Sequence, residues 1–306
     1  MHTVYVDPPA GDESLRAAVY GGQLVVLSPR RSVTALVEFA RAMVEAAFAP
    51  HHPLEAQFHL TVQEWVDTFA PVKPAFIHHP HTMELLRDVL DELGLDLEQW
   101  FLDVPRLRGV TSDGYLTTGV GYAHHPHRDT WYSAPMAQIN WWFPLYDFAT
   151  EASMAFHPRY WNEGVDNESN QFDYYEWNAN GRKDAAKMIG KDTRKQPHAT
   201  NPIDLDPQVR IVMPVGGILL FSGAQMHSTV PNTSGRSRFS VDFRTAHVGD
   251  LGASTGAANV DSGPSGTSLR DFRRARDLAP MPDEIVRQYD SAEPADGVLV
   301  FDPSLS

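Results

Sequence analysis

Two residues of metal-binding type stand two positions apart in the segment GYAHHPHRDTWYSAPMAQINWWF, residues 121–143. They are His127 and Asp129. Side chains alternate in direction along an extended segment, so the imidazole and the carboxylate point the same way and Arg128 points away. A third donor, His227, would complete a 2-His-1-carboxylate set, which binds iron(II) and leaves positions open for a co-substrate and dioxygen. The pattern predicts a mononuclear iron site, with the neighbouring His124 and His125 outside the ligand set.

The spacing of this pair is weak evidence by itself. With 14 His and 39 acidic residues among 306, chance gives about two pairs of His and carboxylate at this spacing. The elements on both sides of the pair must therefore support the interpretation.

The composition restricts the metal ligands and the partners. Cysteine is absent, which excludes disulfides, thiolate zinc sites, iron-sulfur clusters and a Cys nucleophile. The formal net charge of −14 disfavours general attraction to nucleic acid, so a small molecule is the expected substrate. No apolar run approaches the length of about 18 residues that a membrane span needs. The N-terminus lacks a basic region followed by an apolar one, so we expect a cytoplasmic protein. Nothing in the sequence indicates an oligomeric state.

Residues 1–100 have mainly helical patterns, after one early strand at 23–27. A stripe with helical spacing follows Pro29, and Thr61 with Glu64 has the form of a capping box. The capping box predicts the start of a second helix, and a third predicted helix has an apolar stripe that ends before Gly94, where a glycine C-cap is expected. The stripe of the first helix consists of Val33, Leu36, Val37, Ala40, Met43, Val44 and Ala47, and that of the third helix of Leu86, Val89, Leu90 and Leu93.

Beyond residue 100 the pattern changes to short apolar or alternating runs typical of strands. Two packed sheets with helices on one outer face are the simplest solution, giving a mainly β, α+β fold. We predict one domain over 1–306, with a helical layer (1–100), a core (101–249) with a polar insert at 160–207, and a tail (250–306). The tail is expected to contain a mobile loop and a helix around 271–278. The predicted strands are 101–109, 115–121, 137–146, 153–156, 208–213, 218–222 and 237–244.

The last of these strands carries a candidate anion-binding arginine. Alternation places Arg238 and Arg244 on one face, opposite Phe239 and its apolar neighbours. An arginine that faces the interior needs an anion, and the rigid guanidinium fork suits a carboxylate. Arg236, which precedes the strand, is the competing candidate.

His127-Arg128-Asp129, His227 and Arg238, which lies eleven residues beyond it, together resemble the signature of iron(II)/2-oxoglutarate dioxygenases of the phytanoyl-CoA dioxygenase-like branch. The flanking segments AQINWWFPLYDFATEASMAFHPRYW and VMPVGGILLFSGAQMHSTVPNTSGRSRFSVDFR are similar to those of that branch as well. The resemblance covers about 15–249 and is specific in 121–158 and 211–244. Two positions depart from the pattern: Gly217 stands where an Asp is frequent, and SMAFHPRYWN lacks the usual Gly-Ser-His ending.

The resemblance implies a double-stranded β-helix (jelly-roll, cupin-like) core that uses Fe(II), 2-oxoglutarate and dioxygen. His127, Asp129 and His227 would bind the iron and act in catalysis. Arg238 and Thr229 would bind the far carboxylate of 2-oxoglutarate. The insert would lie over the mouth of the site as a lid. Further candidates are Gln138 and Asn140 for the co-substrate, and Trp131, Tyr132, Trp142 and Tyr160 for the substrate.

The reaction that we expect is hydroxylation of an unactivated carbon of a small polar metabolite, with decarboxylation of 2-oxoglutarate to succinate. Asp129 occupies the position that halide-transferring relatives leave open, which favours oxygen transfer. Desaturation, cyclisation and epimerisation begin with the same hydrogen abstraction and remain alternatives. A His-His-Asp metal hydrolase, in which zinc lowers the pKa of a bound water, and a non-catalytic jelly-roll binding protein are more remote.

Overall fold

A mixed sheet of short apolar strands forms the centre of the computed structural model, which describes residues 4–8 and 11–290. In those residues eight strands form this large sheet in the order β1-β2-β8-β5-β10-β3-β11, with β4 also paired to β10, and β7-β6-β9 form a small sheet. The strands are β1 (Val4–Val6), β2 (Leu24–Leu27), β3 (Trp100–Leu102), β4 (Arg106–Val110), β5 (Ile139–Pro144), β6 (Met154–Phe156), β7 (Val209–Arg210), β8 (Ile218–Ser222), β9 (His227–Thr229), β10 (Arg238–His247) and β11 (Arg273–Arg274).

Helices precede the core strands, and shorter helices follow. The helices are α1 (Asp12–Tyr20), α2 (Arg31–Phe48), α3 (Val62–Phe69), α4 (Val72–Ile77), α5 (Pro80–Glu92), α6 (Tyr174–Glu176), α7 (Val248–Gly252) and α8 (Asp283–Tyr289). The capping box at the start of α3 is present, because Thr61 and Glu64 each satisfy a backbone N–H of the other. Gly94 follows α5 with φ +72°, the left-handed conformation that glycine adopts without strain.

The longest strand, β10, separates an apolar face from a polar face. Phe239, Val241 and Phe243 point toward the helical layer and are fully buried. Around Phe239 lie the rings of Phe48 at 5.9 Å and Phe69 at 5.4 Å, contributed by α2 and α3. Burial of each such ring stabilises the fold by about 1.5–3 kcal/mol, so α2 and α3 hold the apolar face of this sheet in place.

The small sheet packs against the opposite face of the large sheet. Trp142 and Phe221 of the large sheet form an apolar cluster with Phe156 of β6, and the rings of Phe156 and Phe221 are 5.0 Å apart. The described residues thus have a mixed α+β architecture around a β-sheet core, and the two sheets form no closed barrel. None of the described helices is long and apolar enough to cross a membrane.

Two predicted elements are of a different type in the structure. Residues 115–121 form a turn and a 3₁₀ segment, since Gly114 and Gly119 adopt positive φ and break extended pairing. Residues 271–278 are not a helix: β11 lies there, Leu278 has φ +61°, and the final described helix is α8 after Pro282. In the loop over 250–268 the carboxylate of Asp261 accepts hydrogen bonds from Arg128 and Trp131, and the predicted mobility of the loop stays a prediction. Residues 291–306 of the predicted tail lie outside the described residues.

Candidate metal centre

Backbone pairing brings the two predicted histidine ligands side by side. His127 and His227 form an antiparallel bridge, with N–H to O=C distances of 3.0 and 2.9 Å, and their rings are 4.4 Å apart. The Nε2 atoms lie 3.5 Å (His127) and 4.0 Å (His227) from the same Oδ1 of Asp129. In the described residues these three are the one cluster whose donor atoms could hold a metal ion, within 4.8 Å of one another.

Carbonyl groups fix the orientation of both imidazoles. Nδ1 of His127 lies 2.7 Å from the carbonyl of His125, and Nδ1 of His227 lies 2.9 Å from the carbonyl of Gln225. A carbonyl can only accept, so each Nδ1 carries the proton and each Nε2 presents its lone pair to the site. Burial and the neighbouring His127 lower the pKa of His227 to about 4, so this ligand is neutral at pH 7.

The carboxylate of Asp129 is ionised, and a hydrogen bond from Gln138 orients it. Burial opposes its ionisation, but the contact with His127, whose Nε2 lies 3.5 Å away, and the charge of Arg244 outweigh burial and hold the pKa of Asp129 well below its usual range. Gln138 donates from Nε2 to Asp129 Oδ2 at 3.0 Å and to Asn140 Oδ1 at 2.9 Å. Gln138 thus orients the carboxylate, and its predicted contact with the co-substrate stays a prediction.

Two imidazoles and one carboxylate on one side of a buried space fit a divalent iron ion. This donor set is the facial arrangement that non-haem iron(II) oxygenases use. All three residues are at most 8% exposed, and their outer atoms are hydrogen-bonded, so the free donor atoms face a common point.

An inner cavity of about 90 Å³ lies between the two sheets beside the triad. Thr229 and Asn140 line it with Arg238, whose Nε and Nη1 are buried and have no hydrogen-bond partner among the residues that the structure describes. The Arg238 guanidinium lies 5.4 Å from the centre of the Trp142 ring. Burial lowers the pKa of Arg238 to about 10, which still leaves the group charged at pH 7. An unpaired buried fork of this kind fits a carboxylate.

The competing arginine lies elsewhere. The Arg236 side chain is 56% exposed and pairs with Glu55 at 3.5 Å. It does not line the inner cavity, because it precedes β10 in the turn. Geometry therefore favours Arg238 for an anion beside the triad.

A larger outer chamber of about 680 Å³ adjoins the triad and shares part of its wall, including His127 and Asp129, with the inner cavity. His127 and Asp129 form part of its wall, and Phe172, Tyr174 and Trp177 of the insert form another part. The 160–207 insert thus covers a chamber of the size that ligands occupy, about 300–1,000 Å³.

The four aromatic substrate candidates divide between cavity wall and core. Tyr132 lines the outer chamber with its ring 5.5 Å from that of His127, and Trp142 lines the inner cavity. Trp131 and Tyr160 lie outside both cavities, contrary to expectation. Trp131 donates from Nε1 to Asp261 at 2.8 Å, and Tyr160 donates from its hydroxyl to the carbonyl of Asp204 at 2.8 Å. These bonds satisfy the polar ends of two otherwise buried rings.

Charged residues of the chamber wall that sequence reasoning missed include Lys73 from α4 and Arg108 from β4. The wall also includes Arg182 and Arg194 from the basic run of the insert. Helical periodicity gives no signal for Lys73, because α4 is only six residues long and starts after a proline. The alternation of β4 could have indicated that Arg106 and Arg108 share a face.

Solved structures with low similarity include three whose descriptions name enzymes or their ligands. The chain is 15% identical to the epimerase SnoN in complex with Fe³⁺, alpha-ketoglutarate and nogalamycin RO (TM-score 0.40; 77% of this chain and 85% of that chain covered). It is 13% identical to EvdO2 from Micromonospora carbonacea var. aurantiaca complexed with 2-oxoglutarate (0.43; 78% and 91%). It is 16% identical to the alpha-ketoglutarate-dependent carbocyclase SnoK from nogalamycin biosynthesis (0.37; 78% and 85%). Similarities of this size assign no reaction to the chain.

One protein family matches most of the chain, whereas no curated protein matches it significantly. The family described as Phytanoyl-CoA dioxygenase (PhyH) matches residues 20–240, which include β2 to β9, the triad and Arg238. This match spans well over half of the chain, so the family predicted from His127-Arg128-Asp129 and its flanking segments is confirmed: the chain belongs to the phytanoyl-CoA dioxygenase family.

Proposed function

We propose that this protein is an iron(II)- and 2-oxoglutarate-dependent oxygenase that hydroxylates an unactivated carbon of a metabolite with polar groups. In the balanced reaction R–H, dioxygen and 2-oxoglutarate give R–OH, succinate and carbon dioxide. The two electrons come from decarboxylation of 2-oxoglutarate. The observation that carries the proposal is the buried triad of His127, Asp129 and His227 next to the unpartnered fork of Arg238.

The triad would hold iron through two Nε2 atoms and one carboxylate oxygen. Iron with 2-oxoglutarate and dioxygen supplies the oxidising power, whereas the protein supplies geometry and a pocket without bulk water. Gln138 keeps the Asp129 carboxylate oriented, and the carbonyls of His125 and Gln225 keep both imidazoles in the ligating tautomer. Such outer contacts are worth about 10–100-fold in metal affinity.

Arg238 would bind the far carboxylate of 2-oxoglutarate. Its two free donor atoms lie in a small cavity bounded by the triad at one side. Thr229 lines the same cavity, and its hydroxyl accepts a hydrogen bond from the backbone N–H of His124 at 3.1 Å. The Thr229 hydroxyl proton is therefore directed away from that N–H and is available to a carboxylate.

The primary substrate would occupy the outer chamber beneath the insert. The chamber wall combines aromatic rings with charged groups, which supports a metabolite that has both apolar and polar parts. Closure of the insert over it would exclude water from the reacting carbon. We further propose that the two sheets are the two halves of a double-stranded β-helix, with 1–100 as its supporting helical layer.

The test is a metabolite screen that measures substrate-dependent succinate formation by the iron-loaded protein. A substrate should raise succinate formation and yield a product heavier by one oxygen atom. Absence of succinate with and without every metabolite, from protein shown to bind iron, would contradict the proposal. Hydrolysis by the zinc-loaded protein would favour the hydrolase alternative, which assigns no role to Arg238.

A further inference from the structure

The outer chamber has a strongly cationic wall, and most of its cations are already paired. Each of the five arginines that line it forms an ion pair with an aspartate. In these pairs five arginines share four aspartates, because Asp242 pairs with both Arg108 and Arg244, so most of the positive charge is balanced within the protein. The pairs are Arg106–Asp103 at 2.5 Å, Arg108–Asp242 at 2.7 Å, Arg182–Asp271 at 3.6 Å, Arg194–Asp192 at 2.6 Å and Arg244–Asp242 at 3.3 Å.

Lys73 is the exception among the cations of this wall. Its Nζ donates to the carbonyl of Val120 at 3.2 Å and lies 5.5 Å from the centre of the Phe69 ring. Within residues 4–8 and 11–290 no carboxylate oxygen lies within 4.0 Å of this nitrogen. An ammonium has three donors, so Lys73 keeps donors and a positive charge that the protein itself does not match.

The position of Lys73 points to the primary substrate more than to 2-oxoglutarate. Lys73 lines both the inner cavity and the outer chamber, so it stands where the two meet, on the same wall as His127. The far carboxylate of 2-oxoglutarate already has Arg238 as its partner. The counter-ion of Lys73 must then come from the other reactant in the chamber.

We infer that Lys73 binds an anionic group of the primary substrate, a carboxylate or a phosphate ester. This inference rests on the proposed function and names the substrate class of the same site. The rest of the chamber wall gives the shape of the molecule, because Ile77, Phe172 and Trp177 offer apolar surface. The substrate is therefore an acid with an apolar or aromatic body, whose anionic end anchors it at Lys73 while the body lies beneath the insert.

Electrostatics support this assignment. Burial, and then the charge of Arg108, lower the pKa of Lys73 to about 7. A bound anion would raise that pKa and keep the ammonium protonated. The other charged groups that act on Lys73 are Arg106, Arg194 and Asp242, and burial holds the pKa of the neighbouring His124 well below its usual range. Affinity for an acid should thus fall as pH rises above about 7.

The first experiment uses paired probes: carboxylic acids with their amides, and phosphate esters with the parent alcohols. The charged member of a pair should stimulate succinate formation by the wild type, and the neutral member should not. Lys73→Met should raise the KM for that charged probe at least tenfold, whereas Lys73→Arg should stay within about threefold and lose the fall above pH 7. Lys187→Met is the matched control, since that side chain is 77% exposed on the insert. Which pair responds distinguishes carboxylate from phosphate.

Two results would overturn the inference. Equal stimulation by charged and neutral members would mean that no anion is recognised. A weaker calorimetric affinity of the iron-loaded Lys73→Met variant for 2-oxoglutarate, with an unchanged KM for the substrate, would assign Lys73 to the co-substrate.

A second measurement does not depend on turnover. Acetic anhydride should acetylate Lys73 in the iron-loaded wild type, and mass spectrometry should show that the charged probes slow this reaction at least threefold while the neutral members do not. Protection without any succinate formation would retain the anion site and reject the proposed oxygenase function. Absence of protection by every anion would reject the site.

Discussion

Arg128 donates from Nε to Oδ2 of Asp261 at 3.0 Å, and this buried pair joins the metal-binding segment to the loop after α7. The same guanidinium donates to the carbonyl of Ala224 at 2.7 Å, just before the distal histidine, and to that of Glu163 at 3.0 Å at the start of the insert. Arg128 thus connects three separate segments around the triad. It can form these bonds because its side chain points away from the metal ligands, as strand alternation predicts.

We expect Arg128→Leu to lower the free energy of unfolding by about 3–5 kcal/mol, because it leaves the Asp261 carboxylate buried without its partner. Iron affinity should fall as well, since the segments that carry Asp129 and His227 lose a common anchor. Urea denaturation and iron titration measure the two effects. The control is Arg159→Leu, which removes an exposed pair with Asp204 and should change the free energy of unfolding little. Equal losses in both variants would contradict the anchoring role.

Iron binding should require His127, Asp129 and His227 together. Replacing any one by Ala removes a third of the protein ligands and should weaken iron affinity at least a hundredfold. His124→Ala should be mild by comparison, although its ring stacks on that of His127 at 5.2 Å, because its nitrogens are not part of the donor cluster. Anaerobic iron titration gives the measurement. Loss of iron in His124→Ala with retention in His127→Ala would reject this ligand set.

Arg238→Lys should weaken 2-oxoglutarate binding at least tenfold although the positive charge is kept. A lysine cannot reproduce the two parallel donors of the guanidinium fork or its packing on Trp142. Iron affinity should change little. Arg236→Lys is the matched control, because Arg236 pairs with Glu55 at the surface and should leave 2-oxoglutarate affinity unchanged. The reverse pattern in calorimetric titrations would transfer the role to Arg236.

The insert should be less protected against hydrogen exchange without substrate than with it. Its residues around α6 form the outer wall of the chamber, where Phe172, Tyr174 and Tyr175 pack in a small apolar cluster. A substrate in the chamber adds contacts on that side, so exchange in 172–194 should slow several-fold. Amides in the middle of α2 serve as the internal control. Identical protection in both states would exclude a closing lid.

Features of the fold were predicted correctly where their signal lies in residues close together in the sequence. Strand β8 and the capping box of α3 were predicted because a continuous apolar run and the Thr61–Glu64 spacing carry their own local energetics. The spacing of His127 and Asp129 indicated a metal site, and the motif around His227 located the third donor. The contact of Gln138 with Asp129 could not be predicted from the sequence, because it depends on how a turn folds back on β5.

Long-range packing explains what the sequence could not indicate. Lys73 reaches the chamber only because α4 packs on β4, and no periodicity relates these elements. The position of Trp131 outside the cavities could not be predicted for the same reason, since its hydrogen-bond partner Asp261 lies 130 residues away in a loop with few apolar residues. The 115–121 segment has strand-forming residues, but its glycines determine the backbone.

Oxygen transfer should be the outcome of the reaction, because Asp129 fills the ligand position that a halide would need. With labelled dioxygen, one labelled atom should appear in succinate and the other in the alcohol product, apart from some exchange with water. Unlabelled dioxygen in labelled water is the control for that exchange. The predicted product is one oxygen atom heavier than the substrate, at one product per succinate. A product without new oxygen, formed together with succinate, would mean desaturation, cyclisation or epimerisation, and would reject hydroxylation while leaving the iron site and its co-substrate in place.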